Sequence, residues 1–175
     1  MKAAWRFSVL GSILVIWGCA TPKPPENLMF TFPPKNKEEW VKGSESEDRK
    51  QKMFLVEFVR KGETVQNWTE LFAVFNFLLR ESSPTREQLM DDLKVRMQQR
   101  CPNVEWTLIE QRSSDLLYEW RITKCAPHPD QHEIARIVDG NSNRFKISYT
   151  AKVTELPEAK RKQWVDILLR AEVKQ

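Results

Sequence analysis

The chain reads as an α+β protein: an antiparallel β-sheet covered on one face by two helices. Three observations predict this. Phe145, Ile147, Tyr149, Ala151 and Val153 alternate with Lys146, Ser148, Thr150 and Lys152, the period-two pattern of a strand with one dry and one wet face. Leu89, Leu93, Met97 and Cys101 recur every four residues, which sets them on one side of a helix. Ala159, Trp164, Ile167, Leu168 and Ala171 make a second apolar side near the C terminus.

The elements follow in order. Ala20 to Asn27 contains Pro22, Pro24 and Pro25 and is expected to be an extended tether. Leu28 to Phe32 suits a short first strand, ended by Pro33 and Pro34. Residues 35–52 are dense in charge and predict a solvated loop with at most one short strand around Trp40. Met53 to Arg60 places Phe54, Val56 and Phe58 on one face of a strand, and Gly62-Glu63 marks a turn. Trp68 to Leu79 carries apolar residues at helical spacing but also in a nearly continuous aromatic run; the aromatic content favours a strand. Ser83 and Pro84 suit the cap and first turn of a helix. Pro102 ends that helix with Cys101 on its inner side.

The remainder predicts an antiparallel meander. Val104, Trp106 and Leu108 alternate, as do Leu116, Tyr118, Trp120 and Ile122. Ile134, Ile137 and Val138 belong to a third strand, and Gly140-Asn141-Ser142-Asn143 is a strong turn before the fourth. Leu156-Pro157 opens the last helix. The order helix, four strands, helix resembles PsbP-like envelope domains, a likeness of architecture that fixes no function. No internal repeat is present.

The N terminus carries the clearest signal in the chain. Lys2 and Arg6 form a short basic region, and Phe7 to Trp17 is an apolar stretch broken only by Ser8, Gly11 and Ser12. It is too short for a permanent membrane span, which takes about 20 residues, and suits the apolar region of a secretory signal. Val15-Ile16-Trp17-Gly18-Cys19 follows. This arrangement resembles the lipobox of bacterial lipoproteins, with Ile16 and Trp17 departing from the commonest pattern. The resemblance implies cleavage before Cys19, a diacylglycerol on its thiol and a palmitate-type acyl chain on the new terminus. It divides the chain into a signal peptide (1–18), the lipidated cysteine and tether (19–27) and one α+β domain (28–175). Ala20 after the cysteine implies the outer membrane, facing the periplasm, by the sorting rule of enteric lipoproteins. An ordinary cleaved signal or an uncleaved anchor is the alternative.

In an exported chain the remaining cysteines, Cys101 and Cys125, are expected to form a disulfide. The formal charge of +4 includes Lys2 and Arg6, acids and bases are interspersed, and no basic stripe points to nucleic acid. Two further stretches are similar to a family of small, uncharacterised exported proteins of proteobacteria. One is Gly62-Glu63-Thr64-Val65-Gln66-Asn67-Trp68-Thr69-Glu70-Leu71. The other runs from Leu117-Tyr118-Glu119-Trp120 through Cys125 and Pro129-Asp130-Gln131-His132-Glu133-Ile134-Ala135-Arg136 to Ser148-Tyr149-Thr150-Ala151-Lys152. The resemblance implies no known reaction.

Trp68, Glu70, His128, Asp130 and His132 are the candidate interaction residues. His128 and His132, four apart between carboxylates, have the composition of a zinc site, but Pro129 interrupts any helix that would align them, and a polar loop is the simpler reading. Trp68, next to the turn, and Trp106, Trp120 and Trp164 are expected in the core rather than on a sugar-binding platform. Lys160-Arg161-Lys162 reads as a solvated helix face, or as a contact for lipid headgroups or an acidic partner. No catalytic residue, metal ligand or cofactor is assigned: no Gly-x-Ser-x-Gly elbow occurs, and glycines are too few for a phosphate-cradling loop. The functional expectation is a non-catalytic accessory module of an envelope assembly, held to the membrane by its lipid and bound to a protein partner. An envelope-acting hydrolase or metal enzyme, or a ligand-binding or inhibitor domain, is the alternative.

Overall fold

A computed structural model describes residues 26–32, 39–50 and 52–175. The signal segment, Cys19, most of the tether and the Pro33-Pro34 stop lie outside the described residues. The elements are β1 (Asn27–Met29), β2 (Trp40–Asp48), β3 (Met53–Arg60), β4 (Glu70–Leu78), α1 (Arg86–Arg100), β5 (Glu105–Gln111), β6 (Asp115–Ile122), β7 (Gln131–Asp139), β8 (Asn143–Ala151), α2 (Glu158–Arg170) and β9 (Glu172–Lys174). Seven strands form one antiparallel sheet in the order β2-β3-β4-β8-β7-β6-β5, and β1 pairs with β9 in a separate ribbon. The α+β class and the helix, four-strand, helix run hold.

The helices do not share a face. Leu117 of β6 and Ile134 of β7 belong to the cluster containing Trp164 and Leu168 of α2. Their strand neighbours Tyr118 and Ala135 belong to the cluster under Leu89, Met90, Leu93 and Met97 of α1. Successive side chains on a strand point to opposite faces, so α1 and α2 cover opposite sides of the sheet. The expected one-sided covering is thus corrected. Its cause is visible in β7, where both sets of alternating positions are buried.

The α2 side is an aromatic core. Tyr149 and Trp164 stack at 4.0 Å between ring centres, Phe72 lies 5.7 Å from Trp164, and Trp40 stacks on Phe32 at 5.4 Å. Trp164 and Trp120 are buried as expected. Trp106 is half-buried and stacks on Tyr118 at 4.8 Å. Burial of such rings contributes on the order of 2–3 kcal/mol each.

Two further expectations change. Residues 40–48 form a nine-residue strand, not a loop with a short one. As an edge strand it pairs only with β3, so a wet, charged sequence suffices, and the charges discourage pairing with another chain. A register shift between Lys42 and Ser44 bends it where Gly43 sits against Val59 and Val65. The cap of α1 is Thr85 rather than Ser83. The Thr85 hydroxyl accepts from the Gln88 backbone N–H (3.2 Å), and the Gln88 side chain accepts from that of Thr85 (2.8 Å). This reciprocal pair outcompetes a cap two residues earlier. The 68–79 region is a strand, β4, as its aromatic content predicts.

Cys101 and Cys125 are bridged, with Cα atoms 5.5 Å apart. The bridge ties the end of α1 to the loop after β6. The other end of α1 is held by Arg86, which pairs with Asp139 and donates to the Ser113 carbonyl (2.7 Å). No helix among the described residues is long and apolar enough to cross a membrane.

Candidate functional site

Of the residues marked in the sequence, His132 lies on β7 and Glu70 on β4, and the geometry shows what each is committed to. His132 is buried at the start of β7. Its Nδ1 accepts from the Leu156 backbone N–H at 3.0 Å, so Nε2 carries the proton towards Glu119 Oε2 at 3.2 Å. Arg161, in the first turns of α2, donates to the same carboxylate at 2.7 and 3.0 Å. Burial alone would raise the Glu119 carboxyl; the hydrogen bonds from His132 and Arg161 and the arginine charge outweigh it and hold it at about 2.

Glu70 lies on the same face and in the same row as His132, because both pair with Ala151 of β8. It takes Lys160 of α2 and lies 3.1 Å from Arg60 Nε. Lys160 and Arg161 are therefore fastened to sheet carboxylates and do not form the solvated face expected; Lys162 alone of the three is exposed. The other end of α2 is held by Arg136. This buried guanidinium pairs with Asp115 and donates to the carbonyls of Leu168 (2.8 Å), Leu169 (3.2 Å) and Ala171 (2.8 Å). A cation at a helix C terminus satisfies carbonyls that lack partners within the helix and meets the negative end of the dipole.

Glu133 points to the opposite face. It accepts from Lys146 Nζ (3.1 Å), Thr150 Oγ1 (3.0 Å) and Trp120 Nε1 (3.0 Å), all buried. Burial first, and the Glu133 charge second, push the Tyr118 hydroxyl well above its usual range. Ser148 lies 3.5 Å from Lys146 Nζ. The lysine already serves a carboxylate there, so it is poorly placed to act as a base toward the serine.

The remaining candidates stand apart. Trp68 is half-buried with Lys152 Nζ 4.5 Å above its ring. Asp130 accepts from the Lys124 backbone N–H (2.8 Å) and from Thr154 Oγ1 (3.1 Å). His128 is exposed beside a shallow hollow formed by residues 124–129, which no carboxylate lines. The two histidines thus separate into loop and interior. Among the described residues, no group of three or more His, Cys, Asp or Glu is placed to hold a metal ion. Between residues 29–32 and α2 runs a groove of about 560 Å³, with Met29, Phe32 and Ile167 beside Gln163, Asp166 and Arg170.

Sequence reasoning missed Arg136, Glu133 and Glu26. The signal for the first two was present: charged residues inside an otherwise apolar strand, on both parities. Glu26 carried none, since its partners are 115 to 117 residues away. No family model matches the chain, and no curated protein is similar to it.

Proposed function

We propose that this is a lipid-anchored envelope protein, tethered through Cys19, whose domain is a non-catalytic accessory module of an envelope assembly. The observation that carries the reading is the basic, apolar, Gly18-Cys19 sequence seven residues ahead of Glu26, the first described residue. The Cys101–Cys125 bridge supports an oxidising compartment, and Ala20 supports the outer membrane. The commitment of His132, Glu133, Arg136, Glu119 and Lys146 to holding helices and strands together supports a module whose motif residues maintain the fold. On this reading the chain belongs with the small exported proteins it resembles, and the PsbP-like element order is an architectural parallel.

Growth of the producing cells with an alkyne palmitate analogue tests the anchor. The wild-type chain takes up label, and Cys19→Ser does not and retains residues 1–18. Label persisting in Cys19→Ser defeats the anchor. Crosslinking in intact cells then tests the module: one specific protein partner is trapped by the anchored form, and a partnerless monomer in the same cells refutes the accessory role.

A further inference from the structure

We infer that the end of the sheet from which the tether departs rests on the lipid surface that carries Cys19, with Phe54 and Leu78 as its apolar contacts. The inference rests on the reading of Cys19 as the lipid site.

Glu26 fixes the departure point. Its carboxylate accepts from the backbone N–H groups of Asn141 (2.6 Å), Ser142 (3.0 Å) and Asn143 (2.9 Å) in the β7–β8 turn. The Ser142 carbonyl in turn accepts from the Leu79 N–H (2.8 Å), and the Leu78 N–H donates to the Lys52 carbonyl (3.3 Å). The tether exit, the end of β4 and the β2–β3 hairpin are thus contiguous. Asn27 and Phe54 line one shared hollow.

This end presents two exposed large apolar side chains. Phe54 is 37% exposed and Leu78 is 42% exposed. Phe54 pairs with Asn76, two residues before Leu78, so both side chains leave the same face of the sheet. Arg49, Lys50 and Lys52 are exposed in the adjoining hairpin. Glu47, 3.6 Å from Arg49, and Asp48, which accepts from the Lys50 N–H at 2.9 Å, temper that charge. The combination fits an interface with phospholipid headgroups, where apolar tips enter and basic side chains meet phosphate.

The tether length decides the orientation. Seven peptide steps separate Cys19 from Glu26 and reach at most about 25 Å. The nine-residue strands β4, β7 and β8 are each about 30 Å long. Were the domain inverted, with the 61–69 turn on the membrane, Glu26 would stand higher than the tether extends. Of the two end-on placements, the one with the Glu26 end toward the bilayer is within reach of the tether.

The test uses the lipidated protein in vesicles of phosphatidylethanolamine and phosphatidylglycerol. Lipid on Cys19 and the bridge leave an introduced thiol as the sole free one. Nitroxides are placed by Lys52→Cys, beside the apolar tips, and by Gln66→Cys, at the opposite end. The nitroxide at 52 is expected to be several-fold less accessible to an aqueous nickel chelate than that at 66. Phe54→Ser or Leu78→Ser, both at exposed positions, should remove most of that protection. Equal accessibility at 52 and 66, in a sample whose intact mass includes the lipid, overturns the inference and leaves the anchor standing. A mass without lipid overturns the anchor and the inference with it.

Discussion

Glu26 and Gly140 form a pair whose coupling is open to measurement. The carboxylate occupies the space a side chain at 140 would take: a Cβ built on Gly140 meets Glu26 Oε2 at 2.5 Å, Cδ at 2.8 Å and Oε1 at 3.0 Å. Gly140 does not adopt a positive φ, so alanine is tolerated by the backbone and its cost falls on Glu26. Three backbone N–H groups and the Ser142 hydroxyl (3.2 Å) donate to that carboxylate. Hydrogen bonds to a charged group contribute about 1.5–3 kcal/mol each when isolated, but four sharing one carboxylate in a half-buried turn are not additive. Glu26→Ala is therefore expected to cost about 2–4 kcal/mol, and Gly140→Ala about 2–3 kcal/mol by ejecting the carboxylate. In the Glu26→Ala background the obstacle is gone, so adding Gly140→Ala should cost less than about 0.5 kcal/mol. A double-mutant cycle by urea denaturation reads this directly. Additive losses would refute the argument, because they would mean that Gly140 is required for something other than the carboxylate.

Three further outcomes follow from the geometry. Arg136→Met strands the buried Asp115 carboxylate and removes the donor shared by the Leu168, Leu169 and Ala171 carbonyls, and should lower stability by about 3–5 kcal/mol; the same change combined with Asp115→Asn should recover part of the loss in calorimetry. Glu119 is held at about 2 against an ordinary 4.5, so its contribution is fully present above about pH 4.5 and disappears as pH falls towards 2. Melting temperature should fall through that window in the wild type and fall less in Glu119→Gln. Reduction of Cys101–Cys125, a separation of 24 residues, should cost about 3.5 kcal/mol by chain entropy, with amide exchange rising first at the C-terminal turns of α1.

What was legible in the sequence, and what was not, follows from how far each signal acts. Alternation of apolar and polar residues marks β3 and β8 as strands, and four-residue spacing marks α1 as a helix, although both parities of β8 are buried. β2 carries no such mark, because an edge strand is stabilised through backbone pairing and leaves no apolar stripe at Lys42 to Asp48. The placement of the helices failed for a related reason. Alternation in β8 marks Lys146, Ser148 and Thr150 as wet, yet all three are buried with Glu133. A polar residue paired across strands is indistinguishable in sequence from a solvated one. The same limit hid the role of His132, whose acceptor duty to the Leu156 N–H depends on a contact 24 residues away.

That limit also explains why β7 looked like chemistry. A strand covered on both faces has no wet side, so any charged residue on it must carry its partner into the interior. His132 and Arg136, of one parity, hold the segment entering α2 at Leu156 and the carbonyls at its C-terminal end. Glu133, of the other, gathers Lys146, Thr150 and Trp120 on the α1 side. Apolar residues in their place would bury as much surface but supply no directional bonds to the backbone beside the ends of α2. The bonds to the Leu156 N–H and to the Leu168, Leu169 and Ala171 carbonyls supply them. His132 and Arg136, with the Glu119–Arg161 and Glu70–Lys160 pairs, thus set where α2 lies, and the charged composition of β7 follows from the demands of a two-sided sheet.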